Sequence, residues 1–344
     1  SSITGAVLVF HHDIDHAQFS RLSTLPAPAS TLSIDQSYER IRRQYADSDI
    51  RIPGLPESPD QALQYEIRQG AARKWLFVHP ETGATLATVD RADKRLVHVL
   101  LDLHYNLLSG TPGKIIVLLG GLSLITLSVT GLLLYRKSLL KVLTFRQRVS
   151  FKSRYAFFSS LHRVVGVWSL AFNLFISITG TWIAYTIVEQ ALAPVTASVP
   201  IVPATVSVDG VLSQVRKDYP DFEVNYLRFA GGTLSVLGRW QDDPAYYGFT
   251  YSNLQVDLSN GQVLKENFVR DLPWHKRVLT ILKPIHFGDY AGLGIKLLYS
   301  IFGILPGILA VSGFLIWKLR PAATPRTQLP KVKRTTPPVK ESAA

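Results

Sequence analysis

Three stretches of this chain run without a charge for longer than the hydrocarbon core of a bilayer requires. Ile115–Tyr135 covers 21 residues, Val164–Val188 covers 25 and Leu297–Trp317 covers 21. A core of about 30 Å takes roughly 20 helical residues to cross, so each stretch predicts a membrane-spanning helix. A further span is expected at the start. Ser1–Phe10 reads SSITGAVLVF, and the SITG of Ser2–Gly5 returns at Ser177–Gly180, inside the second uncharged stretch. Residues 1–10 are therefore expected to be the end of a first span that continues upstream of Ser1.

Between these stretches the pattern changes. Ile34, Tyr38, Ile41 and Tyr45 recur at helical spacing behind Ser33. Ser33-Ile-Asp35 resembles Ser207-Val-Asp209. In both, a serine suits the helix N-cap, and an aspartate two residues on suits the positive helix end. Arg42, Tyr45 and Asp47 correspond to Arg216, Tyr219 and Asp221, all 174 positions apart. Strand-like runs follow at Gln64–Arg68, Lys74–His79, Glu223–Phe229, Thr233–Trp240 and Phe249–Asp257, with hairpin turns at Thr82-Gly83 and Asn260-Gly261. Each segment predicts a helix packed on its own small antiparallel sheet.

The two halves of the chain match in the apolar regions as well. His104, Gly110, Lys114, Gly121 and Gly131 are each followed 182 positions later by His286, Gly292, Lys296, Gly303 and Gly313. The expected layout is one unit used twice, as parallel repeats about an axis along the membrane normal. Residues 1–10 end span one and 11–103 form a first outer domain. Span two with its mouth is 104–135, and 136–160 is a cytoplasmic loop. Span three is 161–188 and 189–283 is a second outer domain. Span four with its mouth is 284–317, and 318–344 is a cytoplasmic tail.

Charge supports that orientation. The net charge is +12. Arg136–Arg154 carries seven basic residues and no acid, and Lys318–Lys340 carries seven more. Short basic segments beside spans belong in the cytoplasm, which explains the charge without a nucleic-acid partner. The longer segments then lie in a periplasm. The chain has no cysteine, which removes disulfides, thiolate ligands and iron–sulfur clusters.

Nine histidines are present. His104 and His286 stand at equivalent outer mouths, and His162 at the inner mouth of span three. His162 precedes Gly180 by 18 residues, and the equivalent place before Gly5 falls upstream of Ser1, where a fourth histidine is expected. Two cross-helix imidazole pairs suit two b-type haems with closed coordination, an arrangement for electron transfer. The plainer reading makes these histidines interfacial polar residues. Gly166, Gly110, Gly121, Gly292 and Gly303 either admit a porphyrin or allow close helix packing. Lys114, Lys296 and Arg163 either pair with haem propionates or anchor the helices at the interface. His11, His12 and His16 with Asp13 and Asp15 have the residue types of a metal site, but read better as a solvated linker. His98 and His275 are candidates for a substrate surface or a haem edge. His79, beside Pro80, reads as structural. No nucleotide-binding signature occurs, so reducing equivalents would come from a cytoplasmic partner or a membrane quinol.

The segments LHRVVGVW (Leu161–Trp168), LHYNLLSGTPGK (Leu103–Lys114), IHFGDYAGLGIK (Ile285–Lys296), the two SITG copies and the VSGFLIW ending resemble the PepSY-associated transmembrane family. That resemblance implies an integral membrane α-helical bundle of four spans, the first truncated here, with two PepSY-like α+β periplasmic domains. It also implies haem b ligation by His104, His162 and His286. Characterised relatives include inner-membrane haem proteins that reduce ferric siderophores, so a ferric-siderophore reductase is the expected activity. Tyr105, Tyr290, Trp274 and His275 are the candidate substrate contacts, chosen by position. The alternatives are a haem-free, membrane-anchored interaction or inhibitory module, and a chelate transporter whose span four breaks near Gly303, Pro306 and Gly307.

Overall fold

The computed structural model describes residues 1–70, 72–90, 96–194, 204–248, 250–288 and 290–320. Most of the expected tail, and Phe249 of the last expected strand, lie outside these residues. Helices α1 (Ser2–Leu8), α2 (His11–Ser23) and α3 (Ile34–Gln44) precede strands β1 (Asp49–Ile52), β2 (Leu63–Gln69), β3 (Ala72–Val78) and β4 (Thr85–Asp90). Then come α4 (Leu96–Asn106), α5 (Gly110–Tyr135), α6 (Leu139–Leu143) and α7 (Arg154–Leu192). The second half has α8 (Val208–Asp218), β5 (Phe222–Ala230), β6 (Thr233–Trp240), β7 (Ser252–Asp257), β8 (Val263–Asn267), α9 (Trp274–Phe287) and α10 (Gly292–Lys318).

Among the described residues α5, α7 and α10 are long and apolar enough to cross a membrane. They turn Leu119, Leu127, Ile178, Ile301 and Val311 outward. Each such side chain left in water forgoes about 1.5–3 kcal/mol, a penalty that lipid removes. Small residues set the helix contacts. A Cβ on Gly121 would strike Thr181, and Gly303 lies against Ala6. Gly166 meets Leu309 in ordinary contact, while Gly110 and Gly292 take positive φ at the starts of α5 and α10. Packing and turning therefore account for these glycines.

The helix bounds differ from expectation. Span two does not include His104, because the chain turns between α4 and α5 with Leu107 and Leu108 at φ 53° and 57°. A Cβ on Gly113 would fall 1.6 Å from the Asn106 carbonyl oxygen, so only glycine lets α5 fold back against the end of α4. Helix α7 already begins at Arg154, where the Ser153 side chain accepts from the Ala156 amide. Helix α10 runs through Pro306 without breaking. The Ser2 hydroxyl donates to the Gly303 carbonyl at 2.5 Å and accepts from the Gly307 amide at 3.1 Å, bridging the rung the proline region opens. The break expected of a transporter is absent from this helix. The histidine-rich stretch after α1 is helix α2 and not an open linker.

The largest correction concerns the two sheets. They form one antiparallel sheet of eight strands, ordered β4-β3-β2-β1-β5-β6-β7-β8. The order is symmetric about the β1–β5 pair, where Ile50 faces Phe229 and Ile52 faces Leu227. Joining the halves here removes two free strand edges and merges two small cores into one. Ile34, Tyr38 and Ile41 from α3, and Val208, Leu212 and Val215 from α8, share that core with the inward residues of the sheet.

The caps are exchanged as well. Asp209 accepts from the Ile34 and Asp35 amides of α3, at 3.0 and 3.2 Å, and from the Ser33 hydroxyl. Asp35 in turn accepts from the Val208 amide and the Ser207 hydroxyl of α8. Each aspartate serves the neighbouring helix rather than its own. Ser207 still caps locally through the Gly210 amide, whereas Ser33 makes no cap bond of that kind.

Candidate functional site

Three histidines sit in the same kind of seat. His104, in the last turn of α4, brings Nδ1 to 3.2 Å from Thr4 Oγ1 and 3.0 Å from the Ser1 carbonyl oxygen. His286, in the last turn of α9, brings Nδ1 to 2.9 Å from Thr179 Oγ1 on α7. His162, near the start of α7, brings Nδ1 to 2.9 Å from Ser312 Oγ on α10. In every case the residue after the hydroxyl is glycine. A Cβ on Gly5 would lie 2.9 Å from His104 Cε1, one on Gly180 2.7 Å from His286 Cε1, and one on Gly313 3.4 Å from His162 Cε1. The glycines therefore make room for the imidazoles themselves.

Each hydroxyl also has a carbonyl of its own helix within reach. Thr4 donates to the Ser1 carbonyl at 2.8 Å, Thr179 to Phe175 at 3.0 Å and Ser312 to Leu309 at 3.2 Å. A hydroxyl that donates to that carbonyl accepts from the ring, an arrangement that puts the imidazole proton on Nδ1 and leaves Nε2 its lone pair. A neutral imidazole presenting Nε2 is a good ligand for iron. His104 and His286 ride on different helices, α4 and α9. The same hydroxyl–glycine pair occurs at Thr130–Gly131 on α5, where the space beside Gly131 is open among the described residues.

The supports of these histidines tie the sheet to the helices. The ring of His98 on α4 packs at a tilt against Trp75 of β3, with ring centroids 4.8 Å apart. Phe19 of α2 stacks on Phe77 at 6.0 Å. Arg277 of α9 donates to the Arg270 and Leu272 carbonyls ahead of it. The sheet face toward α4 and α9 is the one without α3 and α8. It carries Arg51, Arg68, Arg73 and Arg228 with Asp49 and Glu66, joined by ion pairs.

The remaining candidates divide. Arg163 follows His162, lies 5.8 Å over the Tyr135 ring, and buries an Nε with no hydrogen-bond partner among the described residues. Lys296 is engaged by Asp13 of α2 at 2.8 Å, while Lys114 is half-buried in the first turn of α5. Trp274 and His275 are exposed and touch each other at the start of α9. They stand three turns from His286, about 16 Å along the axis, so they do not flank it. Tyr290 reaches the Tyr299 hydroxyl at 3.3 Å, and Tyr105 is half-buried beside His104. Among the described residues no three His, Asp or Glu side chains converge as a metal-binding group, the α2 cluster included. His11 instead contacts the Leu8 carbonyl and stacks on His12. Sequence reasoning missed Thr4, Thr179 and Ser312 as partners. The signal was present in the two SITG copies, which the sequence reading uses only as marks of a repeated span and of the family resemblance.

An uncharacterized protein of Pseudomonas aeruginosa is 24% identical over 267 residues, which cover 69% of this chain and 66% of that protein. The model of the PepSY-associated TM region matches residues 1–320. With three apolar helices under a sheet-rich region, and a family match across nearly the whole chain, this membrane protein belongs to the PepSY-associated transmembrane family.

Proposed function

We propose that the chain is a b-type haem protein of a bacterial inner membrane that passes electrons to a ferric siderophore in the periplasm. The observation that carries this reading is the matched pair His104 and His286. Two neutral imidazoles on separate helices, each held at Nδ1 and open at Nε2, have the donor chemistry of bis-histidine iron. Haem, when bound, supplies a one-electron carrier. His162 would hold a second, inner group, with the unpaired Nε of Arg163 available to a propionate.

On this reading α1 belongs to a first span, and the halves are tandem parallel repeats of span and PepSY-like domain. The sheet lies in the periplasm, and the basic loop after α5 lies in the cytoplasm. Electrons enter at the inner face from a cytoplasmic donor or a quinol. The siderophore docks between the arginine-bearing face of the sheet and the ends of α4 and α9. One electron converts Fe(III) to Fe(II), which hard oxygen ligands hold more weakly, so the iron leaves with its carrier intact. A pyridine haemochromogen assay on the purified protein tests the cofactor. Haem bound in the wild type and depleted in His286→Ala supports the reading; a colourless wild type ends it.

A further inference from the structure

The three seats share more than a histidine. In each, a backbone carbonyl lies within reach of the hydroxyl, the hydroxyl oxygen lies within reach of Nδ1, and a glycine lets the ring approach. A hydroxyl that only bonds back to its own helix is common in apolar helices and needs no partner. Here all three also point at an imidazole from another helix, within 3.2 Å. His104 Nδ1 also lies 3.0 Å from the Ser1 carbonyl oxygen, at the start of the helix that carries Thr4.

We propose that Thr4, Thr179 and Ser312 are positioning residues that fix each histidine as the Nδ1–H tautomer and set the electron affinity of the metal held at Nε2. This rests on the haem reading for its redox part and on geometry alone for the tautomer. A hydrogen bond from Nδ1–H to an oxygen makes Nε2 a stronger donor. A stronger donor favours the higher charge state of iron and lowers the midpoint potential. The hydroxyl also stops the ring from rotating away, which lowers the cost of binding. Because the hydroxyls lie on α1, α7 and α10, each potential is set by a helix other than the one that supplies the ligand.

The test compares Thr179→Val, which keeps the shape and removes the hydroxyl, with Thr179→Ser, which keeps the hydroxyl. Purified protein labelled with 15N at the imidazoles, reduced so that bound haem iron is diamagnetic, reads the tautomer directly. A redox titration reads the potential. The expected wild type has Nδ1–H at all three histidines. In Thr179→Val one redox component should shift to higher potential and its haem affinity should fall about tenfold, while Thr179→Ser should behave as wild type. A wild-type His286 protonated at Nε2 overturns the proposal, as does Thr179→Val with unchanged potential and retention. Protein without haem whose Nδ1–H tautomer is lost in Thr179→Val upholds the positioning role and defeats the haem reading instead.

Discussion

Single atoms decide how the histidines are held. Gly180 leaves 2.7 Å between a would-be Cβ and His286 Cε1, a distance that real contacts do not sustain. Gly180→Ala should therefore push the ring off Thr179 and reduce bound haem, with the sheet unaffected. Haem per chain and the thermal unfolding of the sheet, measured on the same sample, check this. A second residue-scale case lies in the sheet seam. Arg51 and Arg228 face each other across β1 and β5, and Asp49 bonds to both. Burial works to raise the Asp49 pKa, but hydrogen bonds from Arg51 and then Arg228 outweigh it and hold the carboxyl below its ordinary value. A carboxylate lowered in the folded state stabilises above its unfolded pKa of about 3.9, and that stability is lost as pH falls through the folded value. Asp49→Asn should cost about 2 kcal/mol at neutral pH, because two guanidiniums then face each other without a counter-charge. The variant should also lose less stability than wild type on acidification below about pH 4. Urea titrations at pH 7 and pH 3.5 check both.

At the scale of elements, the exchanged caps give unequal expectations for two equivalent residues. Asp209 holds two amides and a hydroxyl of α3, which has no local cap bond. Asp35 holds one amide and one hydroxyl of α8, which Ser207 also caps. Losing a cap costs about 0.5–2 kcal/mol, so Asp209→Ala should lie near the upper end and Asp35→Ala near the lower. Thermal unfolding of the two variants side by side checks the order. These elements also show what the sequence makes legible. The β6 run of Thr233–Trp240 and the buried stripe Ile34, Tyr38 and Ile41 on α3 follow from periodicity, because packing enforces it. Strands β1 and β8 do not. Strand β1 alternates, Asp-Ile-Arg-Ile, but over only four residues, too short a run to stand out, and β8 is exposed along most of its length. The β1–β5 junction joins residues nearly 180 positions apart, which no local pattern encodes. The histidines stood out by repetition. Their hydroxyl partners did not, because they lie on other helices, a hundred or more residues away.

For the whole molecule, α7 relates the two histidine sites. It carries His162 itself and, 17 residues on, the Thr179 that seats His286. That separation is about 26 Å along the helix, close to the roughly 30 Å hydrocarbon core. One helix thus reaches from one membrane face to the other and touches a histidine at each. Among the described residues the sheet lies at one of these faces, tied to the helices through α2 and α4. On the haem reading proposed above, electrons would enter on the bare side and leave beneath the sheet. The most direct measurement is low-temperature electron paramagnetic resonance of the oxidised protein with His104 and His286 each replaced by alanine. Low-spin ferric haem with two imidazole ligands in the wild type, with the same component lost in both variants, is the expected result. A wild type without that signal, or one that survives both substitutions unchanged, would contradict a shared iron between these two histidines.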